Sequence, residues 1–578
     1  MRYIYIVFVF AGLFSYLQFT QAYFFYYIEQ LQLFLSTWQY AVETLCQIGG
    51  CVEYLSRWAC QFFVCPGVGA LVMAALLTFI VFLLQKVLER LMGASSYFLS
   101  ALPVVPLLYL LSDRSYLLQG TWALAFMLSF LWGYTAVARW QLRLVVGLLL
   151  QLALFAMAGP VAFLFSVMAF VYELLADRRH CWRFLLLPVV MLAAGGASVY
   201  LRWVGELRFA LTPDAYYDPL LHSPTVLYSW YALLISLLAA GLCRRLKQPE
   251  GKLAFLWPVV SFSVLAGMVW LLPERDNKID LEQDYYLRHK EWDKIVSSFQ
   301  AGQPTVQRMN ILNLALAKQG KLGDSLMDYP QNESGSLLGS WDHSVGNAIA
   351  LADIYYHIGD IASAQKLAFE GYLSSLQGGN PRLLQLLVKA NLIFGAYPVA
   401  EKYLNLLEHT FYYKEWAMRY RSYLSDAAVE ADAELGGKRK ALSKEGRYAV
   451  SPRLTEVLEQ LAVNNPDEPL AIQYLAGFYL VNRNLKAYAS LLDRYYRTDV
   501  WPSLSVIHQQ AVVALLQDKP GEWVKRGVNL KVERQFNLFD RDMQLYHRQP
   551  EFKQIMAEKH GHTYWYYLMF RKAAAQRN

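Results

Sequence analysis

A loop between two apolar segments collects the residue types that carry catalysis. Residues 202–224 read RWVGELRFALTPDAYYDPLLHSP and combine carboxylates, guanidinium groups and one imidazole. Carboxylates beside a histidine can act as general bases, and arginines can hold the diphosphate of a lipid-linked sugar. Such a loop above an apolar bundle would suit a membrane-embedded glycosyltransferase or polysaccharide ligase. The candidate catalytic residues are Arg202, Arg208, Asp214, Asp218 and His222, with Glu206 beside them.

The same composition is also ordinary for a solvated loop, and the rest of the chain adds no catalytic signature. It contains no HExxH, no glycine-rich phosphate loop, no GxSxG elbow and no zinc knuckle. The pair His560 and His562 would supply only two ligands, whereas protein metal sites use more. The sequence therefore predicts no metal and no cofactor. It favours a non-enzymatic protein without deciding the question.

The elements that would position this loop are apolar. Residues 1–272 carry 16 Lys/Arg and 11 Asp/Glu, against 37 and 35 in residues 273–578. A helix needs about 20 apolar residues to cross a bilayer. We therefore predict a transmembrane helical domain at 1–272 and a soluble domain at 273–578. The nine predicted spans are 4–20, 67–85, 96–112, 118–136, 143–159, 160–176, 182–201, 225–243 and 253–272.

The apolar run 144–175 decides the topology. It is too long for one span and has Gly159 and Pro160 at its middle, so we predict two helices joined by a tight turn. We interpret its one charged residue, Glu173, as a boundary residue near the cytoplasmic end. With the N-terminus inside, the Lys and Arg clusters then lie on the cytoplasmic side and the soluble domain lies outside. The first span is expected to be a signal anchor, although Ala22 offers a possible cleavage point.

Four of the six cysteines fall in the first outer segment, 21–66, which is amphipathic and rich in aromatic residues. They are Cys46, Cys51, Cys60 and Cys65. An even number of cysteines outside the cytoplasm predicts two disulfides, with three pairings open. Free thiols and a zinc site are the alternatives, and the spacing does not match a zinc knuckle.

The soluble half contains a helical repeat. The stretch 348–372, AIALADIYYHIGDIASAQKLAFEGY, places small and aromatic residues where two antiparallel helices would nest. Its pattern recurs 36 residues later and at 475–485, with a weaker copy at 312–326, and 289–299 resembles the second helix of a leading unit. This spacing is close to the tetratricopeptide period of about 34 residues. The signature residues are Leu351, Ala352, Tyr355, Gly359, Ala364, Gly395, Tyr397, Ala400, Leu475, Ala476 and Tyr479.

Five segments of the soluble half carry a family resemblance. They are YYLRHKEWDKIV, ILNLALAKQGKLGDSLM, IALADIYYHIGDIASAQKLAFE, YPVAEKYLNLLEHTFYYKEWA and TYWYYLMF. With the order of the spans, they resemble a group of uncharacterised multi-pass membrane proteins of Bacteroidota. The resemblance implies an inner-membrane protein with a periplasmic repeat domain. It brings no activity, cofactor or catalytic residue.

The sequence thus predicts an all-α protein, a polytopic transmembrane helix bundle of about nine spans followed by a tetratricopeptide-like α-solenoid. The leading hypothesis is an inner-membrane protein whose periplasmic solenoid binds another envelope protein. The alternative is a transferase acting on a lipid-linked substrate at the outer face. The expected partners are the lipid bilayer and an envelope protein. The near-neutral charge of the soluble half argues against nucleic acid.

Overall fold

The computed structural model describes residues 2–93, 96–176, 179–244, 252–272, 277–299, 304–375, 379–442, 454–464 and 469–570. Helices dominate this part of the chain, and its only β-structure consists of isolated bridges. The predicted all-α class is therefore confirmed. The chain forms two compact units, one from Met1–Leu281 with His409–Lys414, the other from most of the residues after Leu281. The boundary at 272 stays a prediction, since 273–276 lie outside the described residues.

Fourteen α-helices lie among the described residues of the first unit before residue 277. They are α1 (Arg2–Thr20), α2 (Ala22–Leu31), α3 (Trp38–Leu45), α4 (Gly50–Cys60), α5 (Val68–Met92), α6 (Tyr97–Ala101), α7 (Val104–Leu111), α8 (Gln119–Thr135), α9 (Trp140–Ala158), α10 (Val161–Ala176), α11 (Leu186–Tyr200), α12 (Leu207–Leu211), α13 (Tyr228–Cys243) and α14 (Lys252–Trp270).

Five helical segments among the described residues are long and apolar enough to cross a membrane. They are Tyr3–Thr20, Val68–Met92, Trp140–Ala158, Cys181–Tyr200 and Pro224–Cys243. Shorter apolar helices in the same unit are Tyr97–Leu111, Val161–Ala176 and Trp257–Trp270. The count of nine spans stays a prediction.

The break predicted at the middle of the long apolar run is present. α9 ends at Ala158 and α10 begins at Val161, with Gly159 at φ +75° between them. Residues that have a side chain rarely adopt this backbone conformation, so glycine suits the turn. The Tyr216 hydroxyl closes both helix ends: it donates to the Ala158 carbonyl and accepts from the Val161 amide at 3.3 Å. Tyr216 belongs to the loop 202–224, so the loop that holds the catalytic candidates also caps these two helix ends.

Large apolar side chains cover the outward faces of the long helices in this unit. One stripe on α9 comprises Leu142, Val145, Leu149 and Leu152, each 45–65% exposed. A second stripe on α13 comprises Tyr231, Ile235, Leu238 and Leu242. Exposing this much apolar surface to water would be unfavourable, whereas contact with the hydrocarbon of a lipid bilayer would not.

The second unit is built from shorter helices. They are α15 (Asn277–Arg288, which begins in the first unit), α16 (Trp292–Ser297), α17 (Val306–Lys318), α18 (Leu322–Ser325), α19 (Val345–Ile358), α20 (Ile361–Leu373), α21 (Pro381–Phe394), α22 (Tyr397–Glu408), α23 (Lys414–Arg421), α24 (Asp426–Ala431), α25 (Ala433–Lys440), α26 (Leu454–Asn464), α27 (Pro469–Val481), α28 (Leu485–Tyr495), α29 (Val506–Leu515), α30 (Leu530–Tyr546), α31 (Phe552–His560) and α32 (Tyr564–Phe570).

Helical pairs occur where the repeat pattern predicts them. Gly359, at φ +106°, ends α19, and the Asp360 carboxylate caps α20 by accepting from the Ser363 amide at 3.0 Å. α20 then approaches α19 closely, since a Cβ placed on Gly371 would lie 2.9 Å from that of Ala348. Other pairs are α21 with α22 and α27 with α28. The helix-turn-helix units are therefore present, whereas their classification as tetratricopeptide repeats stays a prediction.

A buried charge network joins three helices of this unit. The Arg382 guanidinium on α21 donates to both Asp284 oxygens on α15, at 2.9 and 3.1 Å. Its Nε donates to Asp353 on α19 at 2.9 Å. Arg382 is 5% exposed, so the network is removed from bulk water. Breaking one partner would leave the others as uncompensated buried charges.

Candidate functional site

The loop 202–224 resolves into local pairs. Arg208 Nε lies 2.8 Å from Glu206 Oε2, and both side chains are exposed. Asp214 accepts from the Thr212 hydroxyl at 2.7 Å and lies 3.6 Å from His222 Nδ1. Asp218 accepts from the Leu220 amide within the loop, and Arg202 is exposed to solvent. The loop therefore brings Asp214 to His222 but does not assemble the five candidates into one constellation.

A cavity of about 610 Å³ lies beside this loop. Gly159, Pro160, Trp203, Gln119 and Glu53 contribute to its wall. None of the five candidate catalytic residues lines it. Within the described residues no group of three or more His, Cys, Asp or Glu side chains could hold a metal ion.

The four cysteines of segment 21–66 are thiols in this structure. Cys46 is exposed and Cys60 is buried, and burial raises the pKa of the Cys60 thiol. Cys65 Sγ lies 3.3 Å from the Tyr412 hydroxyl. The two disulfides stay a prediction.

Glu173 occupies a different environment from the boundary position we expected. The residue is 1% exposed, and its carboxylate accepts from Arg143 Nη1 at 2.8 Å and from the Tyr134 hydroxyl at 3.0 Å. Arg143 also donates to the Val137 and Ala138 carbonyls. The sequence contains one indication of this pair: Arg143 immediately precedes the apolar run 144–175, and Glu173 lies near the end of that run. The pair closes α9 onto α10 with its charges matched, so we interpret it as structural.

The second unit holds a cluster of cationic side chains around His357 that sequence reasoning missed. We call it the lysine cluster; it comprises Lys290, Lys318, Lys389 and Lys438. The four lysines come from the α15–α16 turn, the end of α17, α21 and α25, while His357 lies in the last turn of α19. Burial first, and then the four ammonium groups, hold the pKa of His357 well below its usual value. His357 is therefore neutral at physiological pH.

Aromatic rings form the floor of the lysine cluster. The Nζ atoms of Lys438 and Lys389 lie 4.6 and 5.4 Å from the centroid of the Tyr356 ring. Lys438 Nζ also donates to the Tyr356 carbonyl at 2.6 Å. The Trp292 ring packs edge-on against His357 at 5.4 Å. Cation–π contacts of this kind hold ammonium groups at a partly dry surface.

One carboxylate balances part of this charge. Glu434 Oε1 accepts from Lys389 Nζ at 3.1 Å and from the Tyr356 hydroxyl at 2.6 Å. Burial alone would raise the pKa of Glu434, but Lys389 and the Tyr356 hydroxyl lower it below its usual value. Asp432 also acts on Tyr356, so the charged groups that act on His357 and Tyr356 include four lysines and the two carboxylates Glu434 and Asp432.

A model for a family described as a family of unknown function, DUF6057, matches residues 1–571. The chain belongs to the DUF6057 family. The match covers nearly all of both units, so the apolar helices and the helical pairs belong to one DUF6057 architecture. No curated protein and no solved structure matches the chain.

The DUF6057 assignment agrees with the resemblance in one respect, since both point to an uncharacterised family. It supplies no catalytic residue to test against the 202–224 loop. Among the described clusters, the lysine cluster is the one whose chemistry suits a ligand. Ammonium groups at a partly exposed aromatic surface attract carboxylates and other anions.

Proposed function

We propose that this protein is a bacterial inner-membrane scaffold that binds an acidic segment of another envelope protein. In this proposal nine helical segments cross the membrane with the N-terminus in the cytoplasm. The second unit is a tetratricopeptide-like solenoid in the periplasm. Its lysine cluster binds carboxylates of the partner.

The lysine cluster is the observation that carries the proposal. Helical-repeat arrays present partners with a surface built from successive helices, and Lys318, His357 and Lys389 belong to three successive first helices of the pairs, α17, α19 and α21. Because four lysines and two carboxylates are the charged groups named around His357 and Tyr356, an acidic segment complements these residues better than a basic one.

Two observations support the membrane assignment. Each predicted span coincides with a helix, except that 96–112 contains two helices interrupted at Pro103. Exposed apolar stripes on α9 and α13 match lipid. The transferase alternative has no comparable support, because its candidate residues pair locally and do not line the neighbouring cavity.

Site-specific photocrosslinking in living cells tests the proposal. A photoreactive residue at Lys318 is expected to crosslink one envelope protein, which mass spectrometry then identifies. The matched control is the same residue at Lys366, an exposed lysine on α20 that lies outside the lysine cluster. Identical products from both positions, or none from Lys318, would exclude partner binding at the cluster.

A further inference from the structure

Two adjoining cavities lie where α1, α7 and α14 end. The first, of about 350 Å³, is an open cleft lined by α1, α6, α7 and α14, and its wall is apolar apart from the polar tips of Tyr16, Thr20 and Trp270. The second, of about 400 Å³, shares Tyr16, Thr20 and Trp270 with it and continues toward the start of α15. Together they form one groove, which we call the amphiphile groove.

The character of the amphiphile groove changes along its length. Leu13, Val105 and Leu265 represent the apolar part. Gln21, Ser112 and Lys278 line the second part. Tyr16 and Trp270 line both parts. Aromatic side chains with polar tips are typical of the level where the hydrocarbon of a bilayer meets its headgroups.

This gradient specifies the occupant. The apolar part lies between α1, which is long and apolar enough to cross a membrane, and the shorter apolar helices α6, α7 and α14. A lipid tail is the molecule that would fill it. Lys278 is among the residues that line the polar part, and its positive charge is complementary to a phosphate. A neutral lipid would use the apolar part alone, and a free phosphate would use the polar part alone.

We infer that the amphiphile groove binds one phospholipid of the surrounding bilayer, with an acyl chain between α1 and α14 and the phosphate at Lys278. In the proposed topology the helices α1, α7 and α14 all end at the outer face. The lipid therefore comes from the outer leaflet. The binding itself does not rest on the proposed scaffold function.

Retention of lipid by purified full-length protein tests this inference. Ala266 lines the apolar part and is exposed, so Ala266→Trp fills the groove from α14 without altering the core. Val264→Trp is the matched control, since Val264 is 47% exposed on the same helix and does not line the groove. Lys278→Gln removes the cation, with the exposed Lys321→Gln as its control.

Native mass spectrometry of protein purified in mild detergent measures the phospholipid retained per chain. We expect the wild type and both controls to retain one, and each groove variant to bind it about tenfold more weakly. Unchanged retention in Ala266→Trp would overturn the inference, as would equal loss in Val264→Trp. Retention of a polyprenyl-linked lipid instead of a phospholipid would also overturn it. Because partner crosslinking is measured separately at Lys318, failure of this inference is distinguishable from failure of the scaffold function.

Discussion

Lys389 Nζ lies 3.1 Å from Glu434 Oε1, which joins α21 to α25 within the lysine cluster. The pair is partly solvent-exposed, with side-chain exposures of 18% and 39%. Burial lowers the pKa of Lys389, but Tyr420 and Glu434 raise it above its usual value, so the ammonium stays charged. The contact therefore positions one cation of the cluster and fastens α25.

Lys389→Met is expected to loosen α25. The substitution removes the cation that Glu434 faces, and solvent screening limits the loss to about 1 kcal/mol. Amide hydrogen exchange in Ala433–Lys440, followed by mass spectrometry on full-length protein, should become a few-fold faster. Lys366→Met, at an exposed position on α20, should leave that exchange unchanged. Unaltered protection in Lys389→Met would show that the pair does not hold α25.

Arg382→Leu should destabilise the second unit strongly. The change leaves the buried carboxylate of Asp284 and the partly buried carboxylate of Asp353 without the guanidinium, which costs about 3–5 kcal/mol. Guanidinium-induced unfolding, monitored by tryptophan fluorescence, measures the loss. Arg382→Lys retains one charge and should lose less, because lysine cannot donate to both carboxylates with the same geometry. Equal losses in the two variants would contradict the charge-network account.

Acid should weaken the region around His508. The ring is 6% exposed, stacks on Tyr488, and is held by burial at a pKa of about 3. An unfolded histidine titrates near about 6.5, so the unfolded chain binds the extra proton first. Stability is therefore complete above about pH 6.5 and falls as pH decreases toward 3, by about 1.4 kcal/mol per pH unit.

Hydrogen exchange of α29 between pH 4 and pH 7, corrected for intrinsic rates, checks this slope. His508→Gln removes the titrating group and should flatten the pH dependence relative to wild type. Other acid-sensitive groups act in both proteins, so the difference between them isolates His508. Parallel profiles would mean that His508 titrates normally.

Reporter fusions test the topology. Alkaline phosphatase is active only outside the cytoplasm, so fusions after residues 222 and 290 should be active. Fusions after residues 93, 139 and 180 should be inactive, because each follows an even number of spans. If 144–175 crossed once, the fusions after 180, 222 and 290 would reverse their activities. That pattern would place the second unit in the cytoplasm.

Local patterns were enough to predict much of the fold. Hydrophobic periodicity located the helices, and Gly159 with Pro160 located the break between α9 and α10. Gly359 located the turn between α19 and α20, since a left-handed residue suits a helix end. Such features depend on residues close together in the chain, which is why sequence reveals them.

Contacts between distant residues could not be predicted in the same way. Lys290 and Lys438 both act on His357 although they lie far apart in the sequence. We interpreted Glu173 as a boundary charge because its partner, Arg143, lies on the other helix of the hairpin. The sequence does not show which faces of the two helices meet. The role of Tyr216 as a cap likewise depends on tertiary approach, since it reaches Ala158 from a separate loop.

The most direct test of the scaffold function compares charge variants of the lysine cluster. Each variant is crosslinked in native membranes, and the amount of partner recovered with it is measured. Lys318→Glu should lower the recovery of the partner about tenfold, and Glu434→Gln should raise it, because the two changes move the local charge in opposite directions. Lys366→Glu, outside the cluster, should match the wild type. Equal recovery from wild type and Lys318→Glu, or equal losses from Lys318→Glu and Lys366→Glu, would contradict binding at the lysine cluster.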